Sequence, residues 1–249
     1  MSDQSTDQRI NYLLHLADNA LLLGHRNSEW CGHGPVLEQD IAITNISLDL
    51  IGQARNFYQY AATLTGDECN EDKLAYLRDA NEFKNCLLVE LPKGDWAFTI
   101  ARQFIFSAYQ FYLYSQLQNN PDEQLAGIAA KSLKEVTYHL RWSSEWMIRL
   151  GDGTEESHKR MSNALSQLWP YTPELFLPAL YEEQMHIDLT AIKSRWLEKV
   201  NEVLSEAVLI IPTTKEVQAG GKEGQHTPNL DEILKDLQYM QRTYPGMEW

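Results

Sequence analysis

The apolar residues of this chain recur at helical spacing almost throughout, and this periodicity constrains the fold more than any other feature. Between Leu37 and Leu64 the positions Ile43, Ile46, Leu50, Phe57, Ala61 and Leu64 follow three-, four- and seven-residue steps, which place them on one helix face. No stretch sustains period-two alternation, and no strand–helix–strand rhythm occurs. Punctuation marks the other helices. Ile10–Leu23 precedes a turn region at Gly24–Pro35, and Gly66 with Asp67 stops the Leu37–Leu64 helix. Asp95 is placed to cap a helix over Trp96–Gln118, which Asn119-Asn120-Pro121 ends. Pro121-Asp122-Glu123 opens another that runs to about Leu150, where Gly151-Asp152-Gly153-Thr154 breaks the chain. Shorter helices are expected at about Glu155–Leu168, Leu189–Val208 and Asn229–Tyr244, with an irregular loop over Pro212–Thr227. The expectation is an all-α chain: a four-helix bundle over about residues 7–150 and additional C-terminal helices over about 151–249, in a single domain spanning 1–249.

Composition narrows the setting. A chain of 249 residues can bury a core large enough to fold without staples. Cys31, Cys69 and Cys86 are an odd number with no paired spacing, as expected of reduced thiols in the cytoplasm. The polar start MSDQSTDQR does not read as a signal peptide. The longest aliphatic runs, Leu21–Leu23 and Val208–Ile211, fall far short of the ~20 residues of a membrane span. A net charge of −14 argues against a nucleic-acid partner, since phosphate binding rests on clustered Lys and Arg, and against an acidic membrane surface. The segment Trp96–Gln118 carries Trp96, Phe98, Phe104, Phe106, Tyr109, Phe111, Tyr112 and Tyr114 on more than one side. Such a helix is a central core element, or it turns one aromatic side to another subunit.

A helical bundle rich in acids invites the di-iron carboxylate test. That centre needs a Glu from each of two helices and Glu-x-x-His from each of two others, because residues three apart share a face. The literal pattern occurs at Glu155/His158, Glu183/His186 and Glu223/His226, each beside a Gly or Pro break and none on a long core helix. On the long helices, Asn45, Asp49, Gln53 and Asn56 form a polar stripe, and Glu135, Tyr138, His139 and Trp142 lie together. The motif positions therefore read Asp49-x-x-Gly52 and Glu135-x-x-Tyr138, and no acid lies between Trp96 and Gln118. Asn45, Asp49, Gln53, Asn56, Glu135, Tyr138 and His139 are expected to form a hydrogen-bonded polar network inside the bundle, with no catalytic residue and no metal ligand assigned. An atypical metal site is the sharper alternative.

Other chemical motifs are incomplete. Gly220-Gly221-Lys222-Glu223-Gly224 lacks P-loop spacing. Its glycines serve backbone turns, or form a nest that holds an anion together with Lys222. Cys31 and His33 are near in sequence, but spacing alone does not bring them together. The terminal Trp249 is expected to dock on this chain or on a partner, because an indole left in water forgoes its burial.

Several runs resemble one family closely. Glu29-Trp30-Cys31-Gly32-His33-Gly34-Pro35 followed by Leu48-Asp49-Leu50-Ile51-Gly52-Gln53-Ala54-Arg55-Asn56 is similar to PaaC, the C-subunit family of phenylacetyl-CoA epoxidases. So are Leu87-Leu88-Val89-Glu90, Thr99-Ile100-Ala101-Arg102-Gln103, Lys134-Glu135 with Tyr138-His139-Leu140-Arg141, the Gly220–Thr227 run and Pro245-Gly246-Met247-Glu248-Trp249. The resemblance covers almost the whole chain. It implies a ferritin-like fold and a non-catalytic structural subunit that pairs with PaaA, the di-iron catalytic subunit. It further implies a complex with small subunits and a reductase, which uses O₂ and reductase-supplied electrons to epoxidise phenylacetyl-CoA in aerobic phenylacetate degradation. No cofactor is then expected on this chain. Two rivals are an autonomous di-iron oxidase or oxygenase and a CoA-ester-binding regulatory subunit that uses Lys222.

Overall fold

The computed structural model describes residues 3–66 and 68–247. Most of its helices begin where short polar side chains can satisfy free backbone N–H groups. Asp95 accepts from Phe98 N–H at 2.9 Å. Asp122 accepts from Gln124 and Leu125, Thr154 from Ser157, Asp188 from Ala191 and Thr227 from Asn229. The described residues contain ten α-helices and no β-strand. They are α1 (Asp3–Ser28), α2 (Leu37–Thr65), α3 (Glu71–Tyr76), α4 (Leu87–Glu90), α5 (Trp96–Leu117), α6 (Glu123–Gly151), α7 (Glu155–Leu168), α8 (Leu189–Glu206), α9 (Pro228–Leu237) and α10 (Tyr239–Thr243). None is long and apolar enough to cross a membrane.

The four long helices form the bundle, in an all-α, ferritin-like arrangement with further C-terminal helices. α1 packs on α2 and α5 on α6, while α2 touches α6. Asn27 donates to Gln103 at 2.6 Å, tying α1 to α5, and Trp30 in the turn after α1 donates to Thr99 of α5 at 2.8 Å. The C-terminal elements then cover selected sides. α7 and α8 lie against α5 and α6, and α4 lies between α1 and the 3₁₀ segment Trp169–Phe176. Trp196 of α8 is buried and donates its indole N–H to Ile105 O at 2.9 Å. Phe176 packs on the same ring, with centroids 5.2 Å apart.

Several expectations need correction. α1 does not end at Leu23. Gly24 lies inside it, where a Cβ would come within 3.2–3.3 Å of Ile51, Leu50 and Ser47 O of α2. The glycine is there for close helix approach, and the turn begins only after Ser28. Every residue from Tyr12 to Gly24 is buried, so α1 is enclosed on all sides. The Asn229–Tyr244 helix is two helices, broken at Gln238, whose side chain donates to Arg78 O at 2.9 Å. Residues 68–95 contain α3, a 3₁₀ turn at Ala80–Glu82 and α4, all too short to register as periodic. The aromatic helix α5 is a core element covered by α6, α7 and α8 of its own chain, so its aromatic residues need no second subunit. Gly66, at φ +123°, ends α2. Asp67 and Trp249 lie outside the described residues.

Candidate functional site

The seam between α2 and α6 brings together part of the expected polar network. Gln53 Nε2 donates to Glu135 Oε2 at 2.9 Å, and His139 Nε2 lies 3.0 Å from Asp49 Oδ2. Tyr114 of α5 reaches Gln53 Oε1 at 3.5 Å. His139 is fully buried, while the Asp49 side chain is 39% exposed. The cluster therefore sits at an open flank of the bundle and is not sealed in its core. Two expected members, Asn45 and Asn56, lie apart from it, and Tyr138 borders it. Asn45 is exposed and Asn56 is half-buried, because both point off the seam. Tyr138 is exposed, edge-on to His139 and under the Arg141 guanidinium.

Deeper in the bundle, one polar face of α5 is neutral. Gln103, Ser107, Gln110 and Tyr114 occupy one buried face of α5 at four- and three-residue steps. Asn27 donates to Gln103, which donates to Ser107 at 2.7 Å, and Gln110 donates to Tyr114 at 3.3 Å. Burial, opposed by the Gln110 hydrogen bond, pushes the Tyr114 phenol well above its ordinary range, so it stays protonated. In the sequence this ladder shows only as a polar stripe in an otherwise aromatic helix, which a search for carboxylate ligands does not pick out.

The strongest electrostatics lie elsewhere, under the C-terminal elements. Glu174 accepts from Gly220 N–H at 2.9 Å and Gly221 N–H at 2.8 Å with one oxygen, and from Leu87 N–H at 2.6 Å with the other. Burial nevertheless outweighs these three donors and raises its carboxyl above the usual range. The glycine loop is thus a nest whose anion is the chain's own Glu174. Lys222 is likewise turned inward. Its ammonium donates to both oxygens of Glu182, at 2.9 and 3.0 Å, and to Leu177 O at 2.9 Å. This corrects the reading of Lys222 as a contact for a partner or an external anion. A side chain buried on its own carboxylate has no free valence for one.

Two more links complete this clasp. His226 lies 2.8 Å from Glu90 Oε2 and 3.0 Å from Phe83 O, two acceptors that together require both ring nitrogens to donate. Desolvation works against the charged ring, but Glu90 and Phe83 O prevail and raise its pKa. On α1, Asp18 binds the Arg78 guanidinium and accepts from Tyr58 at 2.5 Å and from Lys84 N–H at 2.7 Å. His15 donates from Nδ1 to Lys84 O at 2.7 Å. Burial pulls its pKa down to about 4 against the opposing pull of Glu182. Of the literal Glu-x-x-His pairs, His158 bonds Gly151 O and His226 bonds Glu90. Glu183 and His186 are exposed on an irregular turn. No Glu of these pairs meets its own His.

The family described as phenylacetic acid catabolic protein, PaaA_PaaC, matches residues 1–249. The chain belongs to this family. It is 46% identical over 248 residues to the C subunit of the 1,2-phenylacetyl-CoA epoxidase of Escherichia coli K12, covering 98% of this chain and 100% of that protein.

The PaaA_PaaC fold raises the question of iron, and the residues in place do not fit a di-iron centre. The α2–α6 seam offers two carboxylates and one imidazole, and Asp49 and Glu135 are already hydrogen-bonded to His139 and Gln53. α5 offers amides and hydroxyls where such a centre draws a carboxylate. Among the described residues, no three His, Cys, Asp or Glu side chains converge to hold a metal ion.

Proposed function

We propose that this PaaA_PaaC chain is the non-catalytic structural subunit of a phenylacetyl-CoA epoxidase. It pairs with PaaA, the di-iron catalytic subunit, in a cytoplasmic complex for aerobic phenylacetate degradation. The observation that carries the reading is the α2–α6 seam, where Asp49–His139 and Gln53–Glu135 pair with each other and the α5 face is uncharged. The printed name of the E. coli relative, an epoxidase C subunit, supplies the complex. In this proposal, iron, O₂ and reductase-supplied electrons are handled by the partner subunits, and phenylacetyl-CoA is the substrate of the assembly. The contribution of this chain is rigidity: a packed bundle with its C-terminal helices clasped by buried ion pairs offers a fixed surface to a sister bundle. Such support matters because ligand geometry depends on the shells around the ligands.

The rival reading as a CoA-ester regulator loses its residue, since Lys222 is bound to Glu182. The test is co-expression with PaaA, size-exclusion chromatography and iron measurement on each separated chain. Co-elution with iron confined to PaaA is the expected result. Independent behaviour of the two chains, or iron on this one, overturns the proposal.

A further inference from the structure

Among the described residues three arginines are buried: Arg26, Arg78 and Arg102. Two of them have their charge and their donors met within the chain. Arg78 holds the Asp18 carboxylate, and it also donates to Leu74 O at 2.6 Å and Glu82 O at 3.0 Å. Arg26 donates to Glu29 at 2.8 Å through Nη1, while its Nε and Nη2 close on Glu90 O at 3.2 and 2.9 Å. Arg102 is the most deeply buried of the three, at 0% exposure. It lies on α5, beside the ends of α1 and α4. Its Nη1 donates to Leu91 O at 2.6 Å and Pro92 O at 3.1 Å, but its Nε and Nη2 have no acceptor among the described residues. These two nitrogens share one edge of the guanidinium. That edge is a fork with two parallel N–H bonds, the geometry that grips a carboxylate or another anion. Arg26 closes the same edge on a carbonyl, and Arg102 leaves it unused.

Charge says what the fork lacks. The charges that act on Arg102 are Arg26, which opposes it, and Glu29, which favours it. Those two pair with each other at 2.8 Å, so the three together carry one net positive charge. Leu91 O and Pro92 O accept hydrogen bonds, and the Phe98 ring lies 5.8 Å from the guanidinium carbon, but none of them brings a negative charge. Burial, helped by Arg26, pulls the Arg102 pKa down to about 9, which still leaves the group protonated at neutral pH. A buried ion without a counter-charge is costly, and so is a buried donor without an acceptor. A water molecule would meet the donors and leave the charge. A side chain from another protein does not reach an edge that is fully enclosed. A small ion of one negative charge meets the donors, the charge and the enclosure.

We propose that the Nε–Nη2 edge of Arg102 is an internal binding site for a small monovalent anion, chloride or a carboxylate the size of formate. The ion neutralises the Arg26–Glu29–Arg102 cluster. It also fixes Arg102, which holds the two carbonyls just past α4, so it secures the place where the ends of α1 and α4 meet α5. The site stands on this chain alone and does not depend on the function proposed above.

Two measurements on the full chain test the assignment. In crystals grown with sodium bromide, anomalous scattering is expected to place a bromide at hydrogen-bonding distance from both Nε and Nη2 of Arg102. In solution, chloride is titrated at fixed ionic strength, with gluconate, too bulky for an enclosed site, as the replaced anion. The melting temperature is expected to rise by about 3 °C or more between about 1 and 100 mM chloride. A parallel titration with formate shows whether a spherical or a planar ion gives the larger rise, and a rise with either supports the site. Arg102→Met keeps an apolar stem and removes the charge and the fork, so its melting temperature no longer follows the anion. Arg160→Met, at an exposed arginine, keeps the wild-type response. A water at the fork with bromide only at surface positions, an adventitious ion only, overturns the proposal. So does an anion response equal in wild type and Arg102→Met. If Arg102→Met does not fold, the bromide position and the wild-type titration decide: no bromide at the fork, or a melting temperature indifferent to chloride and formate, overturns the site.

Discussion

Lys222→Met cuts the clasp at its most buried point. The Lys222 ammonium and the Glu182 carboxylate are both buried, and they meet at 2.9 and 3.0 Å. Methionine keeps the length of the stem and removes the charge. Glu182 is then left with the Ala179 N–H at 2.8 Å and His15 Nε2 at 3.8 Å. Removing one partner of such a pair costs about 3–5 kcal/mol, because the surviving charge stays buried without compensation. At a slope of about 3 kcal/mol per molar for a chain of this size, the urea midpoint falls by about 1–2 M. Lys222→Met/Glu182→Leu is expected to recover most of that loss, since replacing both ions with apolar groups is close to neutral. His15 gives a second readout. Lys222 helps to hold its pKa down and Glu182 raises it, so the single variant moves the His15 titration upward. A urea midpoint within about 0.3 M of wild type, or a double variant no more stable than the single, rules out a stabilising clasp at this pair.

Three further outcomes follow from the geometry. Gly24→Leu forces a side chain into the α1–α2 contact, where even a Cβ would have only 3.2–3.3 Å, and lowers stability by about 2 kcal/mol or more in urea unfolding. Val208, exposed with φ +56° just past α8, holds a backbone conformation that suits glycine, so Val208→Gly raises stability by about 1 kcal/mol, read as a higher melting temperature. His15 has a folded pKa of about 4 against an ordinary 6.5, so the stability it contributes is complete above about 6.5 and is lost as the pH falls through about 4, in total about 3 kcal/mol. His226 runs the other way, contributing below about 6.5 and losing its contribution as the pH rises through its raised value. An NMR titration of the ring protons reads both, and His15 titrating near 6.5 contradicts this assignment.

Much of the bundle was legible because its signals are local. α2, α5, α6 and α7 begin at the polar or Pro-flanked positions expected, since caps and breaks act within a few residues. Gly24 misled because a helix breaker and a helix-packing glycine look alike until the neighbouring helix is in place. Asp49, Gln53, Glu135 and His139 were found together because helix spacing puts each pair on one face. Asn45 and Asn56 share the same stepping, which is too coarse to separate the seam from the flank, while Tyr138 borders the cluster through the His139 ring. The clasp was not legible. Glu90 meets His226, and Glu174 meets Gly220, across 136 and 46 residues, and no periodicity connects such partners.

Iron quantification on the two chains separated from a co-expressed complex decides between a structural and a catalytic role for this chain. Iron is expected to follow PaaA alone, with this chain folded and essentially iron-free even after anaerobic loading with Fe²⁺. Loading of about two irons per copy of this chain, the content of a complete carboxylate centre, would contradict a structural role.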